Sequence, residues 1–208
     1  MGETDCPRFP AAAASRTIPR MGPYVLPIVL PDWLQRHLDS APAFIPAIED
    51  RMRFVIELSR MNVEHGSGGP FGAAVFRAED GRLIAAGVNL VTHTGVSIAH
   101  AELIAISFAQ RRLGHYDLGA PEQPSMELVT STEPCAMCLG AIPWSGVKRV
   151  VCGADEADAR AIGFDEGDKP QDWPALLEHR GIALHRHLFR AEAAAVLQAY
   201  AERGGMIY

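Results

Sequence analysis

Two short motifs limit the folds open to this chain more than any other feature. The first is His100-Ala-Glu102 and the second, further along, is Pro134-Cys-Ala-Met-Cys138. Each stands at the start of a predicted helix, where unsatisfied N–H groups and the positive end of the helix dipole favour thiolates. One imidazole and two thiolates together can hold a zinc ion. The fold must therefore bring two helix starts together around one point.

The spacing of these residues predicts a catalytic zinc site. Cys135 and Cys138 are three residues apart, so a helix would place both thiols on one face. With His100 they supply three ligands, which leaves the fourth position of a tetrahedral zinc ion to a water molecule or hydroxide. Glu102 can face that water without binding the metal. A closed structural site would need a fourth protein ligand, and no other Cys or His has ligand spacing.

This arrangement of His, Glu and two Cys is typical of zinc-dependent nucleobase deaminases. In the expected reaction the activated water attacks a ring carbon that carries an exocyclic amine. Glu102 takes a proton from that water, delivers it to a ring nitrogen, and then helps to protonate the departing ammonia. Either motif alone is weak evidence, but the two together, each at a predicted helix start, favour a deaminase over a chance match.

Composition and charge disfavour several other classes of function. The 208 residues fit one domain with appendages, and a net charge of −6 without a basic run disfavours nucleic acid as a partner. No apolar stretch is long enough to predict a membrane span. Two of the four cysteines, Cys135 and Cys138, belong to the zinc motif, so we expect no disulfide framework and predict a cytoplasmic location.

Strands alternate with helices, which predicts an α/β fold of three layers, an α/β/α sandwich around a mixed five-stranded sheet. Residues 1–30 lack a sustained period and are predicted to form a flexible extension, whereas residues 31–208 form one domain. The predicted strands cover 72–77, 83–91, 126–131, 147–153 and 182–187. The predicted helices cover 31–40, 46–64, 98–113, 134–146, 155–162 and 191–203.

From about Met52 to Tyr208 the chain resembles the bacterial guanine deaminases that have the cytidine deaminase fold. Beyond the zinc motifs, the resemblance rests on Gly68-Gly-Pro-Phe-Gly72, Gly87-Val-Asn89, Trp144 and Gly163-Phe-Asp-Glu166. It implies a cytidine-deaminase-like sandwich with one zinc ion per chain and the hydrolysis of guanine to xanthine and ammonia. Some relatives also deaminate ammeline, an amino-triazine with a similar hydrogen-bonding face.

The resemblance also assigns residues to a flat substrate pocket. Asn89 would hold the polar edge of the purine through its side-chain amide. Phe71, Phe164 and Trp144 would wall the pocket, with the base stacked on the ring of His100. Plainer alternatives exist, because an Asn can cap a turn and aromatic residues usually pack in the core.

A second carboxylate and a closing segment are further implications of the resemblance. Glu166 would hold the ring or share the proton steps with Glu102, although a solvated charge is the usual outcome in an acidic loop. Tyr208 would belong to a C-terminal segment that closes an active site, and a frayed chain end is the alternative. In these enzymes the closed site is often the partner's, so the resemblance implies a homodimer that can exchange these segments by domain swapping.

Three other functions compete with guanine deamination. A tRNA adenosine deaminase shares both zinc motifs but would need a basic surface, which this acidic chain lacks. A deaminase of another small heterocycle, such as cytosine, a pterin-like ring or mainly ammeline, fits the same motifs. A non-catalytic scaffold stabilised by zinc is disfavoured, because Glu102 stands beside an open coordination position.

Overall fold

The computed structural model describes residue 26 and residues 28–208, so nearly all of the predicted extension at 1–30 lies outside the described residues. The helices are α1 (Asp32–Ser40), α2 (Ile48–Glu64), α3 (Val91–Thr94), α4 (Ala101–Leu113), α5 (Ala136–Ser145), α6 (Glu156–Ala161), α7 (Trp173–His179) and α8 (Arg190–Glu202). The strands are β1 (Gly72–Arg77), β2 (Leu83–Val88), β3 (Met126–Thr132), β4 (Arg149–Ala154) and β5 (Ala183–His185).

The strands form one mixed sheet in the described residues, with the order β2-β1-β3-β4-β5. β1 pairs antiparallel with β2 and with β3, whereas β3, β4 and β5 run parallel. Parallel neighbours need crossover connections, and α5 supplies the one between β3 and β4. The predicted α/β fold with a mixed five-stranded sheet is confirmed.

Two hydrophobic cores lie on opposite faces of the sheet. Successive side chains of a strand point to opposite faces, so Ala74 and Phe76 enter the core that α2 and α8 cover. Ala73 and Val75 enter the other core, which α4, α5 and α7 cover. Complete burial of a side chain such as Phe76 stabilises the fold by about 2–3 kcal/mol. This three-layer packing holds the helix starts rigidly at the edge of the sheet.

One glycine lets the helix that carries Glu102 approach the sheet closely. A Cβ atom at Gly87 in β2 would lie 2.5 Å from the carbonyl oxygen of Ala101 and 2.8 Å from the nitrogen of Ala105. Both contacts are with backbone atoms, which cannot move aside without shifting α4. Gly87 therefore sets the distance between β2 and the first turn of α4.

The structure corrects several predicted boundaries next to the motifs. α4 begins at Ala101, so His100 is its N-cap and only Glu102 lies in the first turn. α5 begins at Ala136 after the N-cap Cys135, so Pro134 precedes the helix instead of entering its first turn. Both metal-binding residues at the helix starts thus have extended backbones, which turn their side chains towards the gap between the helices.

Two helices, α3 and α7, were absent from the sequence prediction. α3 has only four residues, which are too few for a periodic pattern. Two prolines at and near the start of α7 are typical of a loop and hide the helix from the sequence. β2 ends at Val88, so Asn89 follows the strand instead of lying inside it. Across the described residues, no helix combines the length and the apolar character that crossing a membrane requires.

Candidate active site

Three side chains from two helix starts converge between α4 and α5. The Sγ atoms of Cys135 and Cys138 lie 3.5 Å and 3.6 Å from Nδ1 of His100. The ligand atoms of all three residues lie within 4.8 Å of one another. Cys135 caps α5 and Cys138 lies one turn later, so both thiols point into the same space.

The donor set and its protonation fit zinc. A hydrogen bond with Cys138 and contact with His100 lower the pKa of the Cys135 thiol to about 4. The same contact with Cys135, together with burial, raises the pKa of Cys138. Burial lowers the pKa of His100, but the Cys135 and Glu102 charges outweigh it and raise that pKa overall. Zinc binds cysteine as the thiolate and histidine as the neutral imidazole. One nitrogen donor and two sulfur donors this close together suit a zinc ion.

Glu102 lies beside the metal ligands with little access to solvent. Its side chain is 7% exposed and accepts hydrogen bonds of 3.4 Å each from Thr130 Oγ1 and Cys138 Sγ. Burial raises the pKa of this carboxyl, and the nearby Cys135 charge raises it further. A raised pKa makes this carboxyl a stronger base than an exposed one, which favours proton transfer from water.

Glu166 is a second buried carboxyl in the lining of the same cavity as Glu102. It is 5% exposed, and its backbone carbonyl oxygen accepts a 2.8 Å hydrogen bond from the N–H group of Ala136. Burial raises the pKa of Glu166 to about 8 and the Cys135 charge adds to the effect, whereas Lys169 opposes it. The loop that holds Glu166 is therefore attached directly to the start of α5.

Both carboxyls line one cavity of about 80 Å³. It brings together seven of the ten residues that the sequence assigned to the site, and its lining comprises Phe71, His100, Glu102, Glu133, Cys135, Phe164, Asp165, Glu166 and Tyr208. The ring of Phe164 meets the rings of Phe71 and Tyr208 edge to face, with centroid distances of 4.9 Å and 5.4 Å. The lining of the cavity thus combines aromatic rings with titratable groups.

Asn89 lies behind this cavity and does not line it directly. Its side-chain oxygen accepts a hydrogen bond of 3.1 Å from the N–H group of Val91 and one of 2.5 Å from the hydroxyl of Tyr208. The turn-capping alternative is therefore realised, in addition to a contact with the pocket. A Cβ atom at Gly68 would lie 2.0 Å from the carbonyl oxygen of Asn89, so the Gly-rich loop presses closely on this turn.

The family model of the cytidine and deoxycytidylate deaminase zinc-binding region matches residues 46–154. The chain belongs to this family. The match contains both motifs that converge in the structure, His100-Ala-Glu102 and Pro134-Cys-Ala-Met-Cys138. His100, Cys135 and Cys138, the three side chains that could hold a metal ion, thus lie within the matched zinc-binding region.

Comparison with individual proteins shows which members of the deaminase family are similar to this chain. Guanine deaminase of Bacillus subtilis is 41% identical over 146 residues, which cover 67% of this chain and 88% of that protein. The structure of guanine deaminase from Nitrosomonas europaea has a TM-score of 0.82 and 47% identity, and covers 86% of this chain and 97% of its own. A further solved structure, in complex with 2,6-diaminopurine, has a TM-score of 0.84 and 48% identity, and covers 88% and 96%.

These matches confirm the resemblance to bacterial guanine deaminases that the sequence indicated. The structure places one predicted pocket residue elsewhere, however. Trp144 is 81% exposed and does not line the cavity of its own deaminase domain. It lies near the end of α5, on the exposed face that it shares with Met137 and Gly140, whereas Cys138 faces inward. The prediction that Trp144 walls the pocket does not hold within a single chain.

Glu133, which stands directly before Pro134, has no role in the pocket in the sequence prediction. Its buried carboxylate lines the cavity, pairs with Arg186 and accepts a 3.2 Å hydrogen bond from the N–H group of Glu156. With Asp155 and His187 it forms a second cluster of potential ligand atoms. Arg186 pairs with both carboxylates there, so this deaminase uses the cluster as an ion-pair network.

Proposed function

We propose that this protein hydrolyses guanine to xanthine and ammonia. The observation that carries the proposal is the pair of buried carboxyls, Glu102 and Glu166, which line one small cavity beside His100 and Cys135. Zinc bound to His100, Cys135 and Cys138 supplies Lewis-acid activation of water near neutral pH. The reaction adds the water oxygen to the amine-bearing carbon C2 of guanine, breaks the bond from C2 to the exocyclic nitrogen, and releases ammonia.

The protein's own groups carry the protons between these atoms. Glu102 accepts a proton from the attacking water and passes it to the adjacent ring nitrogen, because it is the buried carboxyl nearest to Cys138. Glu166 lines the same cavity and gives a proton to the departing amine, and the hydroxyl group on C2 returns a proton to Glu166 as it becomes the carbonyl oxygen. Burial raises the pKa of Glu166 to about 8, which favours the protonated form that a general acid requires.

The shape and polarity of the cavity support a flat nucleobase as the substrate. Phe71, Phe164 and Tyr208 supply aromatic walls, and the hydroxyl of Tyr208 is bonded to the amide oxygen of Asn89. The relative that binds 2,6-diaminopurine and the relatives named as guanine deaminases support a purine. Ammeline presents a similar hydrogen-bonding face, so we include it as a second substrate.

A tRNA adenosine deaminase is the alternative enzyme, but two observations disfavour it. The chain has a net charge of −6, whereas a protein that grips a phosphate backbone needs a basic surface. Tyr208 also closes the cavity through its hydrogen bond to Asn89, which leaves little room for a nucleotide joined to an RNA chain.

We further infer that the protein is a homodimer in the cytoplasm. Met137, Trp144 and Leu176 are exposed apolar side chains on and beside α5, and a second copy would cover them. Two thiolate ligands suit a reducing compartment. Tyr208 reaches the cavity of its own chain, so closing the site does not require a domain swap, and that exchange stays a prediction.

Ammonia release from a panel of amino-heterocycles tests the proposed function. The purified protein, with its zinc content measured at one ion per chain, is incubated with guanine, ammeline, adenine, cytosine and a tRNA anticodon stem-loop. We expect rapid ammonia release with guanine, and xanthine as the product identified by chromatography. Activity on the stem-loop or cytosine without activity on guanine would transfer the site to the corresponding alternative.

A further inference from the structure

Lys169 is a buried cation next to the zinc site that the proposed reaction does not use. The chain has 19 basic residues, of which only Lys148 and Lys169 are lysines. The side chain of Lys169 is 3% exposed, although charged residues in acidic loops are usually solvated. Burial of an ammonium group costs free energy unless charged or polar partners compensate for the lost hydration. The contacts of Lys169 therefore show what its burial contributes.

The ammonium group of Lys169 joins two segments that carry different halves of the site. It donates a 3.0 Å hydrogen bond to the carbonyl oxygen of Pro134, the residue before Cys135. It also lies 2.7 Å from a carboxylate oxygen of Glu156 at the start of α6, and 5.4 Å from the centre of the Trp173 ring. Lys169 itself stands three residues after Glu166, in the same loop.

Two more hydrogen bonds hold this loop in the same place. The N–H group of Ala136 donates to the carbonyl oxygen of Glu166 at 2.8 Å, and Arg160 Nη2 donates to the carbonyl oxygen of Gly167 at 2.8 Å. The first joins two uncharged backbone groups, and the second comes from an exposed arginine. Lys169 is therefore the buried, charged member of the set that fixes the distance between Glu166 and the Cys135 turn.

We propose that Lys169 is a positioning residue for the deamination, which holds the Glu166 carboxyl at its working distance from the zinc ligands. This inference rests on the proposed function, because it needs Glu166 to act on the substrate. A compact ammonium fits between a carbonyl, a carboxylate and a ring face, where a planar guanidinium would need a different geometry. The need for a compact cationic group agrees with a lysine at this position, in a chain whose basic side chains are mostly arginine.

The turnover rate then depends on Lys169, although Lys169 does not contact the substrate. A displacement of a catalytic group by about 1 Å can slow a reaction on the order of 100-fold. We expect Lys169→Met, which keeps the length of the side chain and removes the charge, to lower kcat on the order of 10- to 100-fold. KM for guanine and zinc content should stay near the wild-type values. Lys148→Met is the matched control, because Lys148 is exposed and outside the site.

A double-mutant cycle with Glu166→Gln separates positioning from a general effect on the fold. If Lys169 acts through Glu166, Lys169→Met lowers the rate little further in the Glu166→Gln background, measured under single-turnover conditions. An equal loss of kcat in both backgrounds, a normal kcat of Lys169→Met, or a loss of kcat that follows zinc content would overturn the inference.

Glu156→Gln provides a second test if Lys169→Met fails to fold. It removes the carboxylate that pairs with the ammonium group of Lys169. We expect a smaller, several-fold loss of kcat with the same non-additivity towards Glu166→Gln. Wild-type protein without activity on guanine would overturn the proposed function and this inference together, whereas active wild type with an unaffected variant overturns only the latter.

Discussion

The hydroxyl of Tyr208 donates a 2.5 Å hydrogen bond to the side-chain oxygen of Asn89. The same oxygen accepts the N–H group of Val91, so both donors fix the orientation of the amide. The amide NH₂ group of Asn89 takes part in neither bond. Tyr208 at the C-terminus thus orients the amide of Asn89 and also lines the cavity itself.

Tyr208→Phe should weaken substrate binding with little effect on the chemical step. The ring that packs on Phe164 is kept, and only the hydrogen bond to Asn89 is lost. One such bond contributes about 1 kcal/mol, so we expect KM for guanine to rise about 5-fold with kcat nearly unchanged. Steady-state kinetics check this, with Tyr116→Phe at an exposed position as the control. Unchanged KM would show that Asn89 needs no help from Tyr208.

Glu102→Gln should abolish turnover while zinc stays bound. The amide cannot accept the proton from water, and general acid–base catalysis contributes on the order of 10²–10⁴-fold. None of the three ligands is altered, so metal analysis should still give one zinc ion per chain. Glu122→Gln, at an exposed carboxylate, is the control and should keep full activity. A Glu102→Gln enzyme that turns over normally would remove Glu102 from the mechanism.

Glu166→Gln should depress turnover by orders of magnitude and change the dependence of stability on pH. Burial raises the pKa of Glu166 to about 8 in the folded state, from the ordinary value of 4.5 for a glutamate. The resulting stabilisation is fully present below about pH 4.5 and is lost as the pH rises through 8, because the folded state holds the proton more tightly.

The zinc-free wild type should therefore lose stability between pH 5 and pH 9 relative to Glu166→Gln. The expected difference is on the order of 1–4 kcal/mol, since each unit of pKa shift corresponds to about 1.4 kcal/mol. Urea denaturation at both pH values measures it. Asp165→Asn, in the exposed neighbour of Glu166, should show no such difference. Parallel pH profiles of wild type and Glu166→Gln would mean that this carboxyl is solvated.

The sequence predicted the residues whose function depends on local spacing. His100, Cys135 and Cys138 were identified because their positions relative to predicted helix starts follow from a few neighbouring residues. β1 was predicted at its observed bounds, Gly72–Arg77, because alternation within a strand is also a local signal. The three-layer fold followed from the order of such elements.

Contacts between distant segments left no comparable signal. Lys169 resembles a solvated loop charge in the sequence, and only the packing of α6 and α7 around it shows that it is buried. Trp144 was placed in the pocket by resemblance, but the rotation of α5 that turns Cys138 inward turns Trp144 outward. Such side-chain directions depend on the exact first residue of a helix, and helix boundaries are the least certain part of a sequence prediction.

Removing zinc should inactivate the protein and lower its thermal stability. Without the zinc ion, two cysteine thiols and two buried carboxyls lie close together, and a negative charge on one of them disfavours loss of a proton from the others. Ligand binding at 1,000 times Kd stabilises a fold by about 4 kcal/mol, so chelation should lower Tm by several degrees. Differential scanning calorimetry before and after adding zinc back measures this. Cys138→Ser should lose zinc, whereas Cys152→Ala, at a buried cysteine outside the site, should retain it.

Trp144→Glu should dissociate the proposed homodimer. Trp144 is 81% exposed in one chain, and Met137 lies on the same exposed face of α5. A tryptophan at the centre of an interface commonly contributes 2 kcal/mol or more, so its replacement by a charge should raise the dimer Kd on the order of 100-fold. Analytical ultracentrifugation over a range of protein concentrations measures the change, with Phe44→Glu, at a partly exposed residue before α2, as the control. A wild-type protein that sediments as a monomer at micromolar concentration, or a Trp144→Glu variant that stays dimeric, would show that this face of α5 does not bind a second copy.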